Sequence, residues 1–169
     1  MITKATIEDV YALNKLINSA YRGEYSKKGW TTEANILEGK RTTEAELMEI
    51  LQDKKNSLLK YFENDQILGC VLLKEKENEL YLGMLTVSPE LQNSGIGKKL
   101  MQQAEVFASD LGLPKIVMTV ISVREELISW YKRKGFVDTG LREPFPVSEV
   151  FSQTTKEPLE FMVLEKRML

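Results

Sequence analysis

Short apolar runs, several of them rich in β-branched residues, alternate along the chain with stretches in which apolar residues recur about every 3.6 positions. The first pattern is typical of buried strands, and the second of helices that pack one face against a core. The apolar runs predict strands over residues 2–5, 58–63, 67–74, 81–87 and 115–121, a strand that starts at 136–137, and a last strand over 158–166. The periodic stretches predict helices from 6 to before 23 and over 44–53, 96–111 and 125–134.

The order of these elements, β-α-α-β-β-β-α-β-α-β-β, predicts one mixed sheet with helices on both faces. Short polar turns join the three strands between 58 and 87, which should therefore form an antiparallel meander. The strands on either side of the long helix should be parallel, because a helical crossover joins them. We therefore expect an α/β (or α+β) fold with a single, largely antiparallel sheet of six to seven strands, in one domain over residues 1–169.

Two helix starts and two long segments complete the predicted structure. Thr6 begins a Thr-Ile-Glu-Asp capping pattern, and Thr43 (or Thr42) is expected to cap the second helix. Residues 21–42 are polar and irregular, and a loop of that length inside a compact domain is usually functional. Residues 140–157 are also predicted to be a loop.

Composition narrows the class of protein. Hydrophobic residues make up 43% of the chain and charged residues 28%, with a net charge of −2, so neither a nucleic-acid partner nor a membrane surface is indicated. No apolar run approaches the roughly 20 residues of a membrane span, and the N-terminus lacks the apolar core of a signal peptide. The single cysteine, Cys70, lies in an apolar run and is predicted to be a buried strand residue. We expect a cytoplasmic protein, since one cysteine excludes an internal disulfide framework.

The chain contains no histidine. Ser-His-Asp and Cys-His catalysis are therefore excluded, as are the common zinc sites that contain histidine. Acid–base chemistry must fall to carboxylates, tyrosine, lysine, the backbone or water.

Candidate chemistry lies in the segment 92–97, Gln-Asn-Ser-Gly-Ile-Gly, which opens the long helix. A helix N-terminus leaves about four backbone N–H groups unpaired and carries a positive partial charge. Gly95 and Gly97 remove the Cβ atoms that would keep a phosphate away from those donors, and Lys98 and Lys99 add positive charge. The alternative is that the glycines only shape a turn and the lysines are solvated.

Two common phosphate-binding loops are excluded by spacing. A Walker A loop, GxxxxGK[ST], fails because Gln92 and Lys99 occupy two of its required positions, and a dinucleotide fingerprint fails because Leu100 stands at its third glycine. The arrangement Gln92-x-x-Gly95-x-Gly97 instead resembles motif A of the GCN5-related N-acetyltransferase (GNAT) family, Q/R-x-x-G-x-G/A. In that family this loop cradles the pyrophosphate of acetyl-CoA.

A second motif resembles the same family. Its motif B is often written N-x-x-A-x-x-x-Y-x-x-x-G-F, and Tyr131, Gly135 and Phe136 match it in spacing. Arg124 stands where asparagine is usual and Leu127 where alanine is usual. The family asparagine commonly contacts the pantetheine arm, so Arg124 either substitutes for it or points to solvent. From the residues alone Tyr131 is also compatible with a core aromatic, because it shares a helix face with Leu127.

The resemblance covers nearly the whole chain and is strongest from 80 to 136. It implies the acyl-CoA N-acyltransferase fold, acetyl-CoA as co-substrate and no metal. The residues that it implies for cofactor binding lie on the strand before the loop, on the loop and on the motif B helix. They are Leu85, Thr86, Val87, Gln92, Asn93, Ser94, Gly95, Ile96, Gly97, Lys98, Arg124 and Tyr131.

The resemblance also implies a reaction, in which a primary amine attacks the acetyl thioester directly. A backbone N–H near Leu85 would stabilise the oxyanion, and Tyr131 would protonate the departing thiolate as general acid. A phenol of pKa about 10 is protonated at neutral pH and can donate.

The acceptor is expected to be a small-molecule or peptide amine bound by the loop at 21–42, where the family usually builds its acceptor site. That loop offers Tyr25, Trp30 and Glu33 as substrate-binding candidates. The sequence does not single out a general base. The candidate carboxylates are Glu24, Glu33, Glu38, Glu149 and Glu160.

Two other interpretations stay open. The Arg124 departure and the unassigned base leave room for a non-catalytic CoA-binding sensor or interaction module. A transferase that uses another acyl-CoA would share every motif named above. An exposed sheet edge could also pair two chains in a homodimer.

Overall fold

The computed structural model describes residues 1–146, 151–154 and 158–168. The strands are β1 (Ile2–Lys4), β2 (Leu37–Gly39), β3 (Asn56–Glu63), β4 (Gln66–Glu75), β5 (Leu80–Val87), β6 (Lys115–Ile121), β7 (Val137–Pro144), β8 (Phe151–Gln153) and β9 (Glu160–Arg167). The helices are α1 (Val10–Tyr21), α2 (Gly23–Ser26), α3 (Glu44–Gln52), α4 (Ile96–Asp110) and α5 (Glu125–Arg133). Two 3-10 turns, Ile7–Asp9 and Pro89–Leu91, precede α1 and α4.

Within the described residues, seven of these strands form one mixed sheet in the order β1-β3-β4-β5-β6-β9-β7. β5 and β6 are parallel, and the other neighbouring pairs are antiparallel. The meander of β3, β4 and β5 and the parallel pair across α4 were both predicted. The predicted mixed, largely antiparallel sheet is thereby confirmed.

β2 and β8 pair with each other as a separate antiparallel sheet that was not predicted. They lie in the two segments predicted as loops, 21–42 and 140–157. The first of these also contains α2, and β7 continues into the second as far as Pro144. The loop prediction is therefore wrong for these residues. Strands as short as β2 and β8 carry too little periodicity to be recognised, and each finds its partner far away in sequence.

The two faces of the large sheet carry separate cores. Buried residues of α4 and α5, including Leu100 and Ile128, pack on one face. Buried residues of α1 and α3, including Leu13 and Leu47, pack on the other. Helices on both faces were predicted from the element order, and the fully buried Cys70 of β4 lies in the second core as predicted.

The start of α3 offers a matched pair of threonines. The Oγ1 of Thr43 accepts the Glu46 N–H at 3.1 Å, so Thr43 is the N-cap. The Oγ1 of Thr42 is buried and has no hydrogen-bond partner among the described residues. We expect Thr43→Ala to lower the free energy of unfolding by about 1 kcal/mol, because it removes the cap.

Thr42→Val is the control for that change. It removes a buried hydroxyl that makes no hydrogen bond, so unfolding stability should be unchanged or slightly higher. Urea denaturation of both variants measures the difference. A larger loss for Thr42→Val than for Thr43→Ala would contradict the assignment of the cap.

Candidate functional site

The parallel strands β5 and β6 separate soon after they meet. Among the described residues they pair at Leu80 with Ile116 and at Tyr81 with Val117 and no further, whereas β6 pairs with β9 along its whole length. A cavity of about 670 Å³ lies where they separate, which we call the strand cavity; it is lined among others by Met84 of β5 and Thr119 of β6.

A second cavity of about 230 Å³ lies at the N-terminus of α4, and we call it the loop cavity; its wall includes Gln92, Asn93, Gly95, Gly97 and Lys98. Four residues line both cavities. These are Tyr21, Leu85, Leu127 and Tyr131.

The loop cavity presents main-chain N–H donors. Ser94 N–H bonds to the Leu91 carbonyl, and the first helical bond of α4 runs from Lys99 N–H to the Gly95 carbonyl. For the part of the chain that the structure describes, no protein acceptor is recorded for the N–H groups of Gly95, Ile96, Gly97 and Lys98. Such a group of free donors at a helix N-terminus is an anion-binding arrangement.

Gly95 makes this turn accessible. Its φ is +92°, a conformation that a side chain disfavours, and a Cβ built on it would meet no atom within 4 Å. The Cβ position of Gly95 therefore faces open space, whereas a Cβ on Gly97 would lie 3.6 Å from the Trp130 ring. This is the geometry expected if the glycine loop receives a phosphate, and it differs from a turn closed by its own side chains.

The Gln92 side chain faces the protein instead. Its Oε1 accepts the Thr31 N–H at 3.1 Å, and its Nε2 donates to the Thr31 Oγ1 at 2.6 Å and to the Val87 carbonyl at 3.1 Å. Gly29 lies so close that a Cβ there would be 2.4 Å from the Gln92 Oε1. Gln92 thus fixes the segment at 29–31 to the glycine loop.

Leu85 lies at a β-bulge. Thr86 pairs with Cys70 and Gly83 with Leu72, so Met84 and Leu85 together oppose the one residue between those partners on β4. Met84 adopts a φ of +51° at the bulge. The Leu85 carbonyl accepts a hydrogen bond from the Tyr21 hydroxyl. The bulge and the tyrosine together fix the main chain where the two cavities meet.

Tyr131 of α5 is 6% exposed and packs edge-on against Trp130 and Phe136. Burial, and to a smaller extent the neighbouring Tyr21, raise the pKa of Tyr131 far above that of a free phenol. Within the described residues no protein group is recorded as a hydrogen-bond partner of its hydroxyl. The side chain belongs to the core and also lines both cavities, so the core and site interpretations of Tyr131 are compatible.

Arg124 is directed into the protein, and its guanidinium binds the early loop. It donates to the carbonyls of Thr31 and Thr32 and lies 3.3 Å from Oε2 of Glu33. The Glu33 carboxylate also binds Arg22 at 2.9 Å, and the side chains of Arg22, Glu33 and Arg124 are 5%, 8% and 9% exposed. We call this buried group the Arg-Glu-Arg cluster.

The sequence did not reveal the Arg-Glu-Arg cluster, because Arg124 is about 90 residues from its partner Glu33 and no motif relates the two. Arg124 lines the strand cavity rather than the loop cavity, so it lies apart from the glycine loop. The spacing of motif B gave its position just before α5 but not the direction of its side chain.

The remaining predicted cofactor residues divide into two groups. Besides Gln92, Gly95 and Tyr131, the loop cavity is lined by five of them, namely Leu85, Val87, Asn93, Gly97 and Lys98. Three others, Thr86, Ser94 and Ile96, do not line it. The Thr86 side chain is buried and donates to the Met84 carbonyl, and Ile96 is buried in the α4 core.

The predicted substrate residues also separate. Tyr25 is 44% exposed, carries Lys28 over its ring and lines neither cavity. Trp30 lines the loop cavity, 6.3 Å from Trp130 between ring centroids. Glu33 lines the strand cavity, but both of its carboxylate oxygens face arginines.

Of the candidate bases, Glu149 lies outside the described residues. Glu24 pairs with Lys27 on the surface, Glu38 is exposed on β2, and Glu160 is exposed on β9. Among the candidate bases that the structure describes, only Glu33 lines either cavity.

The described residues contain neither a metal site nor a membrane-spanning helix. In residues 1–146, 151–154 and 158–168, no three histidine, cysteine, aspartate or glutamate side chains group as a metal site would require. In the same part of the chain, no helix has both the length and the apolar character needed to cross a bilayer.

Known structures share this fold. The ribosomal-protein-S18-alanine N-acetyltransferase of Escherichia coli superposes with a TM-score of 0.76 at 14% identity, over 99% of this chain and 93% of that one. Ard1 of Thermoplasma volcanium gives 0.75 at 16% identity, over 100% and 97%. The PaiA N-acetyltransferase of Thermoplasma acidophilum, in complex with coenzyme A, gives 0.69 at 20% identity, over 99% and 98%.

No curated protein sequence matches the chain. A family model described as an acetyltransferase (GNAT) domain matches residues 22–145, which is most of the chain. This match confirms the predicted family and the prediction that the protein is an acyltransferase. The protein therefore belongs to the GNAT acetyltransferase family.

Proposed function

We propose that this protein transfers the acetyl group of acetyl-CoA to a primary amine by direct attack. One observation carries the proposal: Leu85 and Tyr131 line both cavities, so they lie where a donor held in the loop cavity would meet an acceptor held in the strand cavity. Acyl transfer from a thioester requires a donor to the oxyanion and a proton donor for the leaving sulfur. A main-chain N–H and a protonated phenol at that junction can supply them.

The loop cavity suits the anionic part of acetyl-CoA. The unpaired N–H groups at 95–98 would donate to its pyrophosphate, and Lys98 and Lys134, which also line the cavity, would add positive charge. Trp30 and Trp130 supply apolar surface on the same wall. Acetyl-CoA supplies the activated acetyl group, and the chain supplies position and protons.

Two residues act at the junction. The Leu85 N–H, at the bulge, would donate to the thioester oxygen as negative charge develops on it. The Tyr131 hydroxyl would give its proton to the sulfur as the carbon–sulfur bond breaks. Its raised pKa keeps it protonated and therefore able to donate at neutral pH.

The amine must lose a proton as its nitrogen–carbon bond forms, because a free alkyl amine has a pKa near 10. Glu33 is poorly placed to take that proton, since its carboxylate binds Arg22 and Arg124. We propose that water entering the strand cavity takes this proton and that Tyr131, once it has protonated the sulfur, regains a proton from the same water.

Gly95→Val should weaken acetyl-CoA binding about 10-fold or more, an effect of at least about 1.4 kcal/mol. The new side chain would stand among the free N–H donors and strain a φ of +92°. Isothermal titration calorimetry with acetyl-CoA measures the change.

Gly112→Val is the matched control for that variant. Gly112 lies just past the other end of α4, also with positive φ (+69°) and open space around its Cβ position, but it does not line the loop cavity. The Gly112→Val variant carries a similar backbone strain and should leave acetyl-CoA affinity unchanged. Equal affinities for the two variants would contradict the proposed phosphate site.

The reaction is tested by an acceptor screen. Purified protein is incubated with acetyl-CoA and a panel of primary amines, and the released thiol of CoA is detected. Amine-dependent thiol release with formation of the N-acetyl product supports the proposal. Binding of acetyl-CoA without transfer to any amine would point to a CoA-binding module, and faster transfer from a longer acyl-CoA would point to a different acyl donor.

A further inference from the structure

The charged residues that line the strand cavity fall into two groups along the strands. One group lies at the amino ends of β5 and β6, where the strands still pair. It contains Lys76, Glu79, Lys115 and Glu165, and Lys115 pairs with Glu165 at 3.3 Å. This end of the cavity holds both signs of charge.

The other end, beside Tyr21, Leu85 and Tyr131, is dominated by positive charge. Among the described residues, Arg22, Arg41 and Arg124 line it together with two carboxylates, those of Glu33 and Glu143. Glu33 binds Arg22 and Arg124, which leaves Arg41 without a carboxylate partner within 4 Å among the described residues. An unpaired guanidinium on a cavity wall is suited to bind an anion from outside the protein.

Arg41 is held in place for such a role. Its main-chain N–H and that of Thr42 both donate to the Asn18 Oδ1, at 2.7 Å and 3.1 Å. Its guanidinium lies over the Tyr21 ring, with Cζ 5.6 Å from the ring centroid. A half-buried side chain that stacks on an aromatic ring loses less freedom when it binds a ligand.

Tyr21 also connects Arg41 with the part of the cavity where the acetyl group would be transferred. The Tyr21 ring lies beside Arg41 and its hydroxyl donates to the Leu85 carbonyl, so one aromatic side chain spans the interval between them. A small molecule whose anionic group binds Arg41 could therefore place an amine close to Leu85 and Tyr131.

We propose that the acceptor is a free amino acid or a similar small amino carboxylate, whose carboxylate is bound by Arg41. This inference rests on the proposed acetyl transfer. A purely cationic amine would meet three arginines and two carboxylates at this end of the cavity, and since Glu33 is already bound by two of the arginines, the remaining positive charge would disfavour the amine. A carboxylate on the acceptor removes that penalty and forms a charge-assisted, bidentate pair with the guanidinium.

The proposal separates acceptor classes. A polyamine has no carboxylate, and the amine at a protein N-terminus has its own carboxyl group bound in a peptide. Neither would gain from Arg41. The free carboxylate beside the amine is thus the feature by which the cavity would select its substrate.

The test compares each of a panel of L-amino acids with its primary amide, which keeps the amine and the side chain but lacks the carboxylate. For the best substrate, we expect wild-type kcat/KM to favour the acid over its amide by about 10-fold or more. Arg41→Gln should raise KM for the acid and abolish the preference. Lys76→Gln, at the other end of the cavity, should keep it.

A separate readout shows whether the variants remain folded. Arg41 does not line the loop cavity, so Arg41→Gln should bind acetyl-CoA with wild-type affinity by calorimetry. The carboxylate proposal would be overturned if the wild type used amides as well as acids. It would also be overturned if Arg41→Gln lowered kcat/KM equally for both. Acetyl transfer itself would stand in either case. Failure of every amine in the panel, acids included, would overturn the acetyl transfer itself and this inference with it.

Discussion

Tyr131→Phe should lower kcat about 100-fold or more while leaving acetyl-CoA affinity nearly unchanged. The substitution removes the hydroxyl proposed to protonate the leaving sulfur and keeps the ring that packs against Trp130 and Phe136. Because no hydrogen bond of that hydroxyl is recorded within the described residues, the fold loses no partner. Steady-state thiol release with the best amine of the screen measures kcat, and calorimetry measures acetyl-CoA affinity.

The pH dependence of the wild type gives an independent check on Tyr131. Its folded-state pKa is raised, so its proton stays on as the pH rises through the range near 10 in which a free phenol ionises. Turnover should therefore not fall as pH rises from neutrality to about 10, where more of the amine is neutral. A loss of turnover well below pH 10, with the protein still folded, would contradict the assignment.

Tyr61→Phe serves as the control for the Tyr131 variant. Tyr61 is also a buried tyrosine, but it lies on β3, its hydroxyl donates to Glu63 at 2.6 Å, and it lines neither cavity. Its loss should leave kcat unchanged. If Tyr131→Phe turned over as fast as Tyr61→Phe, Tyr131 would have no role as the acid.

Glu33→Gln should lower the free energy of unfolding by about 3 kcal/mol. The change removes the negative charge that Arg22 and Arg124 share inside the protein, and breaking a buried ion pair is far more costly than breaking a surface pair. Urea denaturation followed by circular dichroism gives the difference in stability. The expected mechanism is electrostatic, since glutamine has nearly the same shape as glutamate.

The matched control is Glu24→Gln, the same change in the same early part of the chain. Glu24 pairs with Lys27 at 2.8 Å, but its side chain is 89% exposed. Water screens that pair, so the variant should unfold within about 0.5 kcal/mol of the wild type. Similar midpoints for the two variants would show that the Arg-Glu-Arg cluster does not stabilise the loop that it binds.

Much of the fold follows from local patterns. The meander and α4 have long, regular periodicity, and the loop at 92–97 has the motif spacing Gln92-x-x-Gly95-x-Gly97. β2 and β8 could not be recognised, because three residues in a strand give no pattern and their stability comes from each other. Local sequence determines an element well when the element is long, and poorly when only a distant partner defines it.

In the candidate site, too, local sequence determined some features and distant partners determined others. The positions of Gly95 and Tyr131 followed from motif spacing, and that of Leu85 from the family resemblance. The directions of Gln92, Glu33 and Arg124 did not, because each binds a residue remote in sequence. Sequence reasoning treated them as groups for a ligand, whereas the structure uses them to hold the early loop against the glycine loop and α5.

The tryptophan pair has a practical consequence. The chain contains two tryptophans, and both line the loop cavity, with ring centroids 6.3 Å apart. Intrinsic fluorescence excited at the indole band therefore arises beside this one cavity, with no background from indoles elsewhere. Stopped-flow mixing with CoA can follow arrival and departure of the nucleotide in real time, without a label and without knowledge of the acceptor.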